Sequence, residues 1–109
     1  LSYSKAQKGV GGDFIYHRTL AKDRQFVALC DVSGKGVAAS MVTTLLWGIM
    51  ETYDFTRGLK AFLRDLNQAV IKAFHLEKYL TGLFLVYNPK TQQVKIADMG
   101  HSLAFLLTN

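Results

Sequence analysis

The chain has 109 residues, half of them hydrophobic and 19% charged, with one proline and nine glycines. That is one small globular domain or a piece of a larger one, and it excludes a multidomain protein, a disordered chain and a low-complexity linker. Thirteen Lys and Arg against eight Asp and Glu give +5, but the basic residues are scattered. They describe a solvated basic surface, not a nucleic-acid stripe.

Leu1 to Lys8 is polar and is expected to fray. Val10-Gly11-Gly12-Asp13 marks a turn, and Phe14 to Leu20 then reads as a strand rich in aromatic and β-branched residues. Ala21 to Arg24 is a polar hairpin connection. Gln25 to Val32 is a second strand, whose near-continuous apolar run predicts burial on both faces. Ser33-Gly34-Lys35-Gly36 breaks the pattern. Beyond it, Ala38, Met41, Val42, Leu45, Leu46, Ile49 and Tyr53 recur at helical spacing. Trp47, Met41 and Met50 fall on or near that stripe and are expected in the core. Asp54-Phe55-Thr56 ends the helix, and Thr56 is expected to cap the next. In that second helix Leu59, Phe62, Leu63, Leu66, Val70, Ala73 and Phe74 share one face. Lys60, Arg64, Gln68 and Lys72 share the other. Strands follow at Tyr79–Tyr87, Gln93–Asp98 and Ser102–Leu107, with turns at Asn88–Thr91 and Met99–His101. Hairpins flanking a helical pair predict an α+β fold: a largely antiparallel sheet with both helices on one face.

The lone Cys30 excludes an internal disulfide framework and makes a reducing, cytoplasmic setting the expectation. The uncharged run through Val37–Met50 is too short to span a bilayer, and no signal peptide is visible. The absence of a starting methionine suggests an excised segment.

Chemistry concentrates in two places. If the first two strands form a hairpin, Asp13 at the start of one lies beside Asp31 at the end of the other. Two facing carboxylates repel unless one takes up a proton or a cation sits between them. Mg²⁺ or Mn²⁺ suits such a pair, needing few protein carboxylates and keeping several waters. Gly34 and Gly36 let the backbone approach a ligand, and the helix opening near Val37 aims N–H groups at the same edge, which suits a phosphate. Taken singly, Gly-Gly-Asp is a turn, Asp before Ser-Gly-x-Gly is a strand-to-helix corner, and His101 is a turn histidine. No P-loop spacing is present.

Taken together, Gly11-Gly12-Asp13-Phe14, Asp31-Val32-Ser33-Gly34-Lys35-Gly36-Val37-Ala38-Ala39, Thr81-Gly82-Leu83-Phe84 and Asp98-Met99-Gly100-His101 resemble the SpoIIE/RsbU-like branch of the PPM-type metal-dependent protein serine/threonine phosphatases. The resemblance runs from about Gly9 to Leu107. It implies that residues 1–109 are part of an α-β-β-α sandwich with a binuclear Mn²⁺ or Mg²⁺ centre. Asp31 would bridge the ions, the Val32 carbonyl would be a further ligand, and Asp13 would bind or orient one ion. Ser33, Gly34, Lys35, Gly36 and His101 would contact phosphate or support the ligands. Two ions suit this chemistry because together they activate a nucleophile and stabilise the leaving oxygen.

The implied substrate is phosphoserine or phosphothreonine on a small regulatory protein, of the anti-sigma-factor antagonist type, in bacterial signalling. No nucleic-acid partner is expected, and no membrane contact within this segment. Tyr16 stands where the family often has a second acid, and the family's later Thr-Asp-Gly segment and late Asp have no counterpart here. The 109 residues alone are therefore expected to bind metal weakly, to be inactive and to self-associate. The competing readings are a non-catalytic PPM-like module that docks a protein, and an anion- or nucleotide-binding domain built on Ser33–Gly36.

Overall fold

The computed structural model describes residues 4–8, 13–32, 37–74, 80–100 and 103–108. Six strands form one sheet in chain order: β1 (Ser4–Lys8), β2 (Asp13–Thr19), β3 (Gln25–Val32), β4 (Leu80–Asn88), β5 (Gln93–Gly100) and β6 (Leu103–Thr108). Every neighbouring pair is antiparallel. Two helices, α1 (Val37–Thr52) and α2 (Leu59–Phe74), link β3 to β4. Helix α1 lies over β2 and β3, and α2 over β5 and β6. The predicted α+β layering with a helix pair on one face is therefore the observed one.

Strand parity fixes what the helices cover. Phe14 and Tyr16, Phe26, Ala28, Cys30 and Val32, Phe84, and Ala97 and Met99 are all buried. They meet Val42, Leu46 and Met50 of α1 and Leu59, Phe62, Leu63, Leu66 and Val70 of α2 in one core. Phe26 is its hub. Its ring lies 4.4 Å from that of Phe55, 5.4 Å from Phe62, 6.0 Å from Tyr16 and 6.4 Å from Phe84. Arg18 ties the sheet to the end of α1, donating from Nη1 to the Met50 and Tyr53 carbonyls at 2.9 and 3.0 Å. These are carbonyls that the helix C-terminus leaves without an intrahelical partner.

Four expectations need correction. Ser4–Lys8 does not fray; it is edge strand β1, with Ser4 opposite Arg18 and Lys8 opposite Phe14. Its polar sequence gives no strand signal, because backbone pairing to β2 holds it, and edge lysines suit an exposed edge. Strand β3 is buried on one face only: Leu29 is 44% exposed, because among the described residues no element packs on the other face. Met41 and Trp47 are exposed, at 55% and 44%, and only Met50 of the three is in the core. The buried face of α1 is Val42, Leu46 and Met50, and Met41 and Trp47 lie off it.

Thr56 does not cap α2. A short 3-10 turn at Phe55–Arg57 intervenes, with Asp54 as its cap. Asp54 Oδ1 accepts from the Thr56 amide at 3.1 Å and the Thr56 hydroxyl at 2.6 Å. Those two bonds hold the Asp54 carboxyl below its ordinary range. Gly58 then leads into α2, its carbonyl accepting from the Phe62 amide, with φ of 95°. A side chain is strained there although space is open. Gly58→Ala is expected to cost about 1 kcal/mol or more in urea denaturation. An unchanged midpoint would contradict that strain.

Candidate active site at the β2–β3 edge

The β2–β3 hairpin sets Asp13 directly opposite Asp31 in register. In such a pair Cα atoms stand about 4.5–5.5 Å apart. The two acids, far apart along the chain, are thus neighbours at one edge of the sheet. Asp31 is exposed, on the face the helices do not cover. Across β3, Asp31 is opposite Thr81, and Gly82 is opposite Met99. The end of β5 at Gly100 therefore reaches the same edge. So does the start of α1, which opens at Val37, shortly beyond Val32, and carries no acidic side chain in its first turn.

Val32 is 1% exposed, its side chain in the helix-side core, so only its backbone is available to a ligand. Ser33, Gly34, Lys35, Gly36 and His101 lie outside the described residues.

A cavity of about 420 Å³ opens on the uncovered face beside this edge. Asp31, Thr81 and Asp98 supply its polar lining, and Ile15, Leu29 and Leu83 its apolar floor. Those three apolar side chains are 48%, 44% and 38% exposed. Asp98 is two strands across and two residues along from Asp31, roughly 12 Å on ideal sheet spacings. It shares the cavity but is too distant to share an ion. Cys30 backs the same wall and is buried. Burial pushes its thiol up to about 12, so it is a packed apolar group and no nucleophile at neutral pH.

Tyr16 is fully buried on the opposite, helix-covered face, and its hydroxyl donates to Glu51 Oε2 at 2.6 Å. Position 16 is a core position in this chain. Its lack of a carboxylate removes nothing from the uncovered face, and it gives no support to a degenerate, non-catalytic reading.

The donor set is partial. Two register-paired acids and a backbone carbonyl offer hard oxygen donors that suit Mg²⁺ or Mn²⁺. Among the described residues no group of three or more His, Cys, Asp or Glu comes together to hold a metal. The pair fits as part of a centre, not as the whole of one. Sequence reasoning gave Thr81 and Asp98 no role. That Thr81 stands opposite Asp31, and that Asp98 lines the same cavity, follows from strand register, which the composition of β4 and β5 does not encode.

The family model for stage II sporulation protein E (SpoIIE) matches residues 21–109. The chain belongs to the SpoIIE family. Asp31 lies inside the matched range and Asp13 before it. The chain is also 28% identical over 100 residues to the phosphoserine phosphatase RsbU of Bacillus subtilis (strain 168). That match covers 90% of this chain and 29% of RsbU, so the chain spans less than a third of that relative's length. The family-level likeness is thus to phosphatases. Among the described residues no helix is long and apolar enough to cross a membrane.

Proposed function

We propose that this chain forms part of a PPM-type, metal-dependent protein serine/threonine phosphatase. Its substrate would be phosphoserine or phosphothreonine on a regulatory protein. The observation that carries this reading is the register pairing of Asp13 with Asp31, at the start of β2 and the end of β3, in a chain of the SpoIIE family. Asp31 and Asp13 would hold Mn²⁺ or Mg²⁺, with the Val32 carbonyl. When bound, such ions supply an activated water and neutralise phosphoryl charge. Phosphomonoester hydrolysis is among the slowest uncatalysed reactions, so the complete site must supply roughly 20 kcal/mol.

The chain's own contributions are positional. The hairpin fixes the two acids, each strand locked by its neighbour. The α1 N-terminus brings backbone N–H groups toward the edge where a phosphate would sit. Lys35 adds a positive charge in the segment between Asp31 and α1. Anti-sigma-factor antagonists, small proteins regulated by serine phosphorylation, are the partner type this reading favours. The test is phosphatase assay of the whole protein on a serine-phosphorylated regulatory protein, with and without Mn²⁺. Metal-independent turnover, or none with any phosphoprotein, would sink it.

The uncovered face carries Ile15, Leu29 and Leu83 exposed, with Val27, Leu85 and Ile96 half-buried. In the layered PPM architecture a second sheet would pack there. Without that layer, the face is expected to bury itself against a copy of the chain. Light scattering of the 109-residue chain should show dimers or larger species that Leu29→Lys reduces. A clean monomer at high concentration would contradict this.

A further inference from the structure

The Thr81-Gly82-Leu83-Phe84 segment sets one hydroxyl-bearing residue beside Asp31. Thr81 is the register partner of Asp31 across β3 and β4. Both are exposed and both line the same cavity. Directly opposed residues have Cβ atoms about 5 Å apart, a gap that one hydroxyl and one carboxylate can span. Among the described residues neither side chain makes a hydrogen bond, to the other or elsewhere, so both can turn toward each other when a cation arrives.

The neighbouring residues hold Thr81 in place. Gly82 is buried on the helix side, and a Cβ there would come within 2.9 Å of the Phe84 ring and 3.4 Å of the Cys30 sulfur. The Phe84 ring thus folds over the bare backbone of Gly82, and is itself fully buried 5.3 Å from Phe62. A larger residue at 82 would push that ring away. The Gly82–Phe84 contact therefore pins this end of β4, and with it the position of Thr81 opposite Asp31.

We infer that Thr81 is a positioning residue: in the cation-loaded site its hydroxyl would donate to the Asp31 carboxylate and fix the orientation in which that carboxylate meets the ion. The inference rests on the metal-dependent reading of the Asp13–Asp31 edge. A bond from a neutral hydroxyl to an ionised acceptor is stronger than one between neutral groups, so one such contact can select a rotamer. Groups that orient a metal ligand are commonly worth 10–100-fold in metal affinity. Asp98, in the same cavity, stands too far from Asp31 to do this.

The experiment compares Mn²⁺ binding, by water-proton relaxation, in the whole wild-type protein, Thr81→Val and Thr81→Ser. Valine keeps the shape and β-branching and removes the hydroxyl; serine keeps the hydroxyl. Thr81→Val should weaken Mn²⁺ binding by about 10-fold with an unchanged metal-free melting temperature, and Thr81→Ser should stay within about 2-fold of wild type. Equal binding by wild type and Thr81→Val overturns the role of Thr81 and leaves the metal reading standing. Equal losses in both variants also overturn it, because the hydroxyl is then not what matters. Failure of the wild-type protein to bind Mn²⁺ at millimolar concentration overturns the metal reading itself, and this inference with it.

Discussion

Replacing Phe26 by alanine is expected to remove about 3–5 kcal/mol of unfolding free energy. The residue is fully buried near the start of β3, its ring within 6.4 Å of those of Tyr16, Phe55, Phe62 and Phe84. Its loss removes apolar contact from the sheet, from the 3-10 turn and from α2 at once. None of these can close the gap alone: β3 is paired on both sides, and α2 is held by Leu59, Leu63, Leu66 and Val70. Domains of this size are stable by about 5–15 kcal/mol, so the variant should be close to the limit of folding. Urea denaturation checks it, and Leu83→Ala on the uncovered face is the control. Leu83 is 38% exposed, so that change should cost below about 1 kcal/mol. Similar losses for the two would mean that the core is not where the helices meet the sheet.

The second large effect concerns Asp31. Asp31→Asn keeps the shape and removes the charge. If Asp31 is a direct ligand, Mn²⁺ affinity should fall by at least about 100-fold, beyond what loss of an orienting neighbour costs. Asp98→Asn is the discriminating control, since it too removes a carboxylate from the cavity wall. At roughly 12 Å in water, one unit charge contributes about 0.35 kcal/mol, and a divalent ion doubles that. Asp98→Asn should therefore change Mn²⁺ affinity by about threefold or less. Equal losses would show that the cation responds to the cavity's overall charge and not to a ligand. For the 109-residue chain alone, binding is expected to be weak and turnover absent, because the described residues bring together only a partial set of donors.

Much of the layout is legible in the order of residues. The 3.6-residue recurrence of Leu59, Phe62, Leu63, Leu66 and Val70 in α2 reports a one-sided burial that the core reproduces. Asn88 marks its turn by chemistry: its Oδ1 accepts from the Lys90 amide at 3.0 Å and the Thr91 amide at 3.4 Å. The β2–β3 hairpin is enough to expect Asp13 beside Asp31, since a short connection forces antiparallel pairing. In each case the determining interactions are local, and local patterns are what a sequence displays.

Other features depend on neighbours far along the chain. Residues Ser4–Lys8 have no apolar alternation, and only the free edge of β2 makes them a strand. Val27 and Leu29 look as buried as Phe26 and Ala28 by composition, but exposure depends on which face the helices cover. Trp47 lies near the helical stripe yet is 44% exposed. Tyr16 reads as a missing acid in a motif, whereas strand parity sends it to the core and gives it Glu51 as a partner. Local chemistry alone thus dictates the elements, the hairpin pairing and the acids that flank it. Which face stays open, and that Thr81 comes to stand opposite Asp31, emerge only in three dimensions. Register between strands separated by two helices is set by packing, not by adjacency.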